Sequence, residues 1–255
     1  MTAESDIDVY VKDTFFKNST SGVLVEVGAA GPDFLSISQR YRKAGWKVIA
    51  VEPNPAFCEQ HRKLGYEVLE YAASDVEGDD IDFFVVDSEG YAYGGGELTF
   101  ESCSSLGIHE KFKEQGGENL KTRTIPVKVR RLDTILATHA PEVEKIDLLV
   151  IDVEGWELHV LRGLNFERYR PTVIILENVF QDLAYEDAMI ERGYERCKWL
   201  YPNEVYVGRT PALQAARIAR RLTKPSVDLA RKVLGPTVQR YRQFRAEMAR
   251  KSEGR

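Results

Sequence analysis

Val-Leu-Val-Glu-Val-Gly-Ala-Ala-Gly occupies residues 23–31, and Lys-Val-Ile-Ala-Val-Glu occupies residues 47–52. Each begins as a β-branched run that is typical of a strand, and the first ends in two glycines three residues apart. The apolar positions between them suit a helix that follows the glycine turn and extends through Tyr41. Together they predict strand, tight turn, helix and strand, the unit from which parallel α/β sheets are built.

The rest of the chain continues this alternation of strands and helices. Further strands are predicted at the following positions: residues 67–71, 81–87, a short run at 125, 146–152 and 173–177. The last two runs are almost continuously apolar, as in parallel strands that are buried on both faces. Helices are predicted to begin at Leu132 and around residues 183–191, and the runs 194–200 and 205–208 predict a closing hairpin. We therefore expect an α/β fold with a doubly wound, mostly parallel sheet and a C-terminal antiparallel hairpin.

Composition limits the class of protein. The chain has 255 residues and 43% hydrophobic residues, enough for one substantial core. It contains neither a signal-peptide pattern nor a run of about 18 apolar residues, so a cytoplasmic protein is expected. The three cysteines are scattered without paired spacing, which argues against a disulfide framework or a structural zinc site.

Charge divides the chain near its end. Residues 210–255 hold 12 Lys/Arg against 3 Asp/Glu, whereas the rest holds 23 against 37. An acidic body disfavours nucleic acid as a partner. We expect a domain at residues 1–209, with a long insert at about 88–122, followed by a basic helical extension at 210–255. That extension either lies on the anionic inner face of a membrane or packs against the body in a homo-oligomer.

The first glycine turn departs from the dinucleotide-binding fingerprint. Gly28 and Gly31 have the spacing of its last two glycines, but Glu26 stands where the first glycine belongs. A carboxylate there repels a pyrophosphate and suits a cationic ligand such as S-adenosylmethionine. Glu52 lies 21 residues beyond Gly31, where an acid can accept both ribose hydroxyls.

Ser74 and Asp75 follow the third predicted strand, on the side where an adenine would lie. A hydroxyl or a carboxylate there can hold the adenine amino group, but the pair is equally an ordinary turn former. The predicted cofactor-binding residues are Glu26, Gly28, Ala29, Gly31, Glu52, Pro53, Ser74, Asp75 and Asp152.

Acidic residues follow the two most apolar runs. Asp152 and Glu154 come after one strand, and Glu177 with Asn178 ends the next. Because the carboxyl ends of parallel strands share one edge of the sheet, these groups are expected around one crevice. Asp152 and Glu154 are candidate catalytic residues, with one carboxylate acting as general base. Alternatively, Asp152, Glu177 and Asn178 hold Mg²⁺ through oxygen ligands.

Histidines are weaker candidates for chemistry. His109 lies in the long insert and is a third catalytic candidate, because imidazole titrates near neutral pH. His61, His139 and His159 fall on predicted helices, where we expect them at the surface. Trp156 could offer its flat face to a sugar ring or serve only in packing.

Five segments together resemble the FkbM-type methyltransferases: VEVGAAGPDFLS at 25–36, VEPNP at 51–55, RRLDTIL at 130–136, IDVEGWELHVLRGL at 151–164 and VIILEN at 173–178. The similarity covers roughly residues 20–208. It implies a class I methyltransferase fold, Rossmann-like, with S-adenosylmethionine at the glycine turn and an acceptor facing Asp152, Glu154 and Glu177.

The expected activity is O-methylation of a sugar hydroxyl in a surface glycan or a glycosylated metabolite, with S-adenosylmethionine as cofactor. N-methylation of an amine on a small molecule or glycan is an alternative. Two hypotheses from other classes of protein are a nicotinamide-dependent oxidoreductase and a nucleoside-binding module without catalysis. An oxidoreductase would require a glycine in place of Glu26 and a Tyr-Lys or His arrangement at the hydride site, which the sequence does not show.

Overall fold

The computed structural model describes residues 3–33, 35–86, 104–107 and 122–209, together with the backbone of 92–93 and 98–99. The chain divides after Gly208. The expected basic extension at 210–255, most of the insert and its His109 lie outside the described residues. No helix in the described part of the chain is long and apolar enough to cross a membrane.

The helices and strands alternate as the sequence predicts. A 3₁₀ turn at Glu4–Asp6 precedes seven helices in the described ranges: α1 Ile7–Phe15, α2 Ser38–Lys43, α3 Pro55–Lys63, α4 Leu132–His139, α5 Glu157–Arg162, α6 Phe166–Tyr169 and α7 Leu183–Glu191. The strands there are β1 Val23–Val27, β2 Lys47–Val51, β3 Val68–Leu69, β4 Ala72–Ser74, β5 Gly78–Val86, β6 Ala92–Tyr93, β7 Leu98–Thr99, β8 Thr122–Arg131, β9 Leu148–Ile151, β10 Val173–Glu177, β11 Tyr194–Leu200 and β12 Asn203–Gly208.

The main sheet has seven strands in the order β11-β12-β10-β9-β1-β2-β3. Neighbours from β10 to β3 are parallel, and β12 pairs antiparallel with both β10 and β11. All residues of β9 and β10 are buried, as their continuous apolar sequences require for central strands. Chain order reverses between β1 and β9, and such a switch point leaves a crevice at the carboxyl ends of the two strands.

A second sheet of three strands, in the order β4-β8-β5, stands beside the first. Strand β8 is parallel to β4 and antiparallel to β5, and it buries Val127 and Val129 against Phe83 and Val85. Strands were predicted at 81–87 and as a short run at 125, but neither β4 nor a separate sheet was predicted, because pairing between distant strands leaves no local pattern in the sequence. Val86 and Thr122, which lie at the two ends of the insert, are paired in this sheet.

The helix after the glycine turn is shorter than predicted. It begins at Ser38 instead of directly after Gly31, and the turn leads into irregular backbone with left-handed φ values at Ala30 (43°) and Leu35 (53°). The chain therefore places no helix N-terminus at the glycine turn. The third strand is also shorter than the predicted residues 67–71, since only Val68 and Leu69 pair with β2.

Candidate functional site

A cavity of about 490 Å³ of empty space, open at its mouth, lies at the carboxyl ends of β1, β2 and β9. The lining residues are Val27, Gly28, Ala30, Glu52, Pro53, Phe57, Tyr71, Ala72, Ala73, Phe83, Ser104, Ser105, Leu106, Asp152, Val153 and Trp156. No Lys, Arg or His of the described chain is among them, and both charged groups are carboxylates. The cavity thus offers apolar walls and negative charge.

The turn at residues 28–31 forms one wall, and its backbone donors are already used. The Gly28 and Ala29 amides donate to the Val51 carbonyl over 2.9 and 3.3 Å, and the Ala30 amide donates to Glu52 Oε2 over 2.9 Å. Gly28 adopts φ 79°, and a Cβ there would lie 1.7 Å from the Asp152 carbonyl oxygen, so only glycine fits. These three amides are not free to cradle a phosphate.

Glu52 links the turn to the start of α3. It is buried, and its carboxylate accepts from the Ala30 amide through one oxygen and from the Asn54 amide at 2.8 Å through the other. Burial raises the pKa of Glu52 to about 7, against the two amide donors that favour its charged form. Each oxygen keeps a lone pair for a further donor, as a ribose hydroxyl would require.

Glu26 does not line the cavity. It points from β1 to the beginning of α2, where its Oε1 accepts from the Ser38 amide at 3.2 Å, and its Oε2 is buried without a hydrogen-bond partner. Burial raises the pKa of Glu26. A carboxylate therefore already occupies the positive end of this helix, the place where other folds bind phosphate. Ala29 and Gly31, also predicted to contact cofactor, lie outside the cavity lining.

The predicted acidic strand ends do meet. One carboxylate oxygen each of Asp152, Glu154 and Glu177 lies within 4.8 Å of the other two. Asp152 reaches the cavity lining, and burial together with the charge of Glu157 raises its pKa to about 7. Burial and the neighbouring Asp152 raise the pKa of Glu177 well above its usual value. Carboxylates this close hold a proton at neutral pH because two adjacent charges repel.

Asn178, the fourth residue predicted at these strand ends, uses its side chain in hydrogen bonds with the loop that follows β10. Its side-chain oxygen accepts from the Asp182 amide at 2.9 Å, and its nitrogen donates to the Asp182 carbonyl at 3.0 Å. Asp182 itself caps α7 by accepting from the Ala184 amide. The amide of Asn178 thus shapes the loop between β10 and α7.

Glu157 holds the turn that carries Asp152 and Glu154. It is 1% exposed, and its Oε1 accepts from the amides of Val153 and Gly155 at 3.0 and 3.1 Å while Tyr185 donates to its other oxygen. Its burial under Tyr185 depends on α7, about 28 residues further along the chain, and no local pattern shows it.

Ser74 and Asp75 lie behind the cavity instead of within it. Asp75 accepts from His159 Nδ1 at 3.0 Å and from Arg162 Nε at 2.7 Å. Burial alone would raise the pKa of Asp75, but these two hydrogen bonds hold it well below its usual value. Ser74 accepts from the indole of Trp156, whose ring stacks on His159 with centroids 3.9 Å apart. The pair therefore supports Trp156, which lines the cavity.

A described part of the insert, residues 104–107, contacts the same turn. Ser105 donates through its hydroxyl to the Val153 carbonyl at 3.1 Å, and its backbone pairs with Phe84 of β5. Gly107 lies against the ring of Trp156, where a Cβ would come within 3.0 Å of the indole. Residues 104–107 thereby form part of the cavity wall.

His61 is buried, which corrects its expected place at the surface. It is 0% exposed on α3, and its Nε2 lies 3.0 Å from the Ala30 carbonyl oxygen. Cys58 and His61 are the buried residues of α3 and lie on its inward face. Because histidine is a polar residue, its identity alone did not indicate burial. His139 is exposed and contacts the Tyr71 hydroxyl at 3.1 Å.

Comparison with known proteins identifies the family of the chain. The family model described as Methyltransferase FkbM domain matches residues 26–196, two thirds of the chain. Among solved structures, methyltransferase FkbM from Methylobacillus flagellatus KT is similar, with 12% identity and a TM-score of 0.44. That similarity covers 76% of this chain and 46% of the other, so this chain spans less than half the length of that structure. No curated protein matches the sequence.

Proposed function

The chain belongs to the FkbM methyltransferase family, and we propose that it uses S-adenosylmethionine to methylate a hydroxyl group of a sugar. One observation carries the choice of cofactor. The elements that bind phosphate in related α/β folds are occupied by the protein itself: the amides of residues 28–30 are paired, and Glu26 caps α2. A nucleoside that is cationic and lacks phosphate suits such a site.

The described residues fit this cofactor. Glu52 would accept the ribose hydroxyls, and the apolar wall of Phe57, Tyr71 and Phe83 would contact the adenine. Asp152 and Glu52 give the cavity the negative charge that a cation requires. When bound, S-adenosylmethionine supplies an electrophilic methyl group on its sulfonium.

Asp152 is the proposed catalytic base. It lies at the switch point, lines the cavity and belongs to a carboxylate group that holds a proton near neutral pH. A base with such a pKa can take the proton of a hydroxyl as the oxygen is methylated. This favours O-methylation over N-methylation, because a neutral amine needs little help from a base. The turn held by Glu157 keeps Asp152 in place.

The three carboxylates also have the oxygen donors that Mg²⁺ prefers. If Asp152 acts as a base alone, activity survives complete chelation of divalent cations. Loss of activity with EDTA, and its return on adding Mg²⁺, would instead assign the cluster to the metal.

Calorimetric titration tests the cofactor. S-adenosylhomocysteine and NAD⁺ are titrated separately into the wild type, Glu52→Ala and Glu167→Gln, the last being an exposed carboxylate on α6. We expect micromolar binding of S-adenosylhomocysteine that collapses only in Glu52→Ala, and no binding of NAD⁺. Binding of NAD⁺ in place of S-adenosylhomocysteine would overturn the proposal. Transfer of a labelled methyl group to a panel of sugars and glycans, with the corresponding amino sugars beside them, then tests the acceptor.

A further inference from the structure

We propose that His61 is a positioning residue that fixes the turn at residues 28–31 for the nucleoside, acting through the backbone of Ala30. The inference rests on the proposed function, because it assigns a role toward the cofactor. His61 itself does not line the cavity, whereas Ala30 does.

The contact between His61 and Ala30 is directional. A carbonyl oxygen only accepts, so His61 Nε2 carries the hydrogen and donates to it over 3.0 Å. The other ring nitrogen, Nδ1, is buried without a partner. Burial lowers the pKa of His61, which keeps the ring neutral in this tautomer. An unpaired buried nitrogen is unfavourable, so an apolar residue would fill this position better if packing were the only requirement.

Ala30 is held from both sides. Its amide donates to Glu52 and its carbonyl accepts from His61. Two buried side chains therefore hold the two peptide units that flank the Ala30 Cα atom. Its φ of 43° is left-handed, a conformation that disfavours any residue with a Cβ and persists only where the surroundings enforce it. Glu52 and His61 both come from one short segment, which comprises the end of β2 and the helix α3 that follows.

The two hydrogen bonds that hold Ala30, from its amide to Glu52 and from His61 to its carbonyl, form a clamp that has a consequence for binding. Glu52 contacts both Ala30 and the cavity, so a shift of the turn also moves the carboxylate that would receive the ribose. With His61 in place the turn is formed before the ligand arrives, and the ligand does not bear the cost of ordering it. Removing the donor should therefore weaken binding of the nucleoside more than it weakens the fold.

Two substitutions of matched polarity separate these effects. His61→Gln can place an amide N–H near the position of Nε2, whereas the shorter His61→Asn cannot reach the carbonyl of Ala30. Calorimetry with S-adenosylhomocysteine should show about tenfold weaker binding for His61→Asn, the loss expected for one net hydrogen bond, and near wild-type binding for His61→Gln. Equal affinities in the two variants, whatever their melting temperatures, would overturn the proposal.

Amide hydrogen exchange without ligand supplies an independent readout. We expect peptides covering residues 28–31 to exchange faster in His61→Asn than in His61→Gln, with β9 and β10 unchanged in both. Equal exchange in the two variants contradicts the clamp. If the wild type binds no S-adenosylhomocysteine, the proposed function fails, yet the exchange comparison still decides whether His61 holds the turn.

Discussion

The two halves of the sheet's carboxyl edge hold their carboxylates in different ways. On the side of β1 and β2, Glu26 and Glu52 are buried but each accepts hydrogen bonds from backbone amides. On the side of β9 and β10, Asp152, Glu154 and Glu177 face one another within 4.8 Å. The carboxylates of the first half are held by backbone amides, whereas burial and neighbouring carboxylates raise the pKa values of Asp152 and Glu177 in the second half. Such a division is suited to binding on one side and proton transfer on the other.

Replacing Asp152 tests the reactive half with the largest expected effect. We expect Asp152→Asn to lower kcat by about 10²–10⁴, the contribution of a general base, while S-adenosylhomocysteine, which carries no sulfonium charge, still binds. Steady-state rates and calorimetry check the two expectations, with Glu167→Gln as the control. Activity that survives in Asp152→Asn would mean that the acceptor needs no base and would favour an amine.

Replacing Gly28 tests the close packing between the glycine turn on one half and the backbone of Asp152 on the other. In Gly28→Ala the new Cβ would collide with the Asp152 carbonyl, and φ 79° would be strained, so we expect a loss of more than about 3 kcal/mol in unfolding free energy. Gly31→Ala is the matched control, because its nearest neighbour is the flexible end of Gln60 at 3.0 Å. Urea unfolding compares them, and equal stabilities would contradict the described packing of the turn.

Glu52 makes stability depend on pH on the binding side. Its pKa rises from 4.5 to about 7 on folding, so its stabilising contribution is complete below pH 4.5 and is lost as pH rises through 7. Relative to Glu52→Gln, the wild type should lose about 3 kcal/mol between pH 4 and 8. Urea unfolding of both proteins across this range measures the difference. A difference that is constant with pH would show that the amide donors offset burial completely.

The smallest effect is expected behind the cavity. Asp75→Asn removes the negative charge that pairs with Arg162 and should cost about 1 kcal/mol of stability, because the Arg162 side chain is 44% exposed. Affinity for S-adenosylhomocysteine should remain that of the wild type. A large loss of affinity would restore the original interpretation of Asp75 as an adenine ligand. Asp79→Asn, which breaks a more exposed pair with Arg130, serves as the control.

Local sequence patterns predicted most of the fold. Strands β1, β9 and β10 and helix α7 lie where their periodicity placed them, and the family resemblance is confirmed by the match over residues 26–196. Gly28, Glu52 and Asp152 were also found from the ends of predicted strands, and all three line the cavity.

The missed features depend on contacts between distant parts of the chain. His61 is buried because its ring reaches Ala30, 31 residues earlier, and Glu157 is buried because Tyr185 covers it. Asn178 is hydrogen-bonded to Asp182 in the loop that follows it, a contact that its position at a strand end does not indicate. Residue type and position along a strand do not show which partner a polar group will find.

The second sheet has a consequence for the changes that the chain can accept. Val86 and Thr122 are paired neighbours on β5 and β8, so the segment between them leaves and returns at adjacent points. Segments of other lengths can be exchanged at this junction while both flanking strands stay hydrogen-bonded, because the entropic cost of closing a loop grows slowly with its length. The turn at residues 28–31 precedes this junction in the chain and is inherited unchanged.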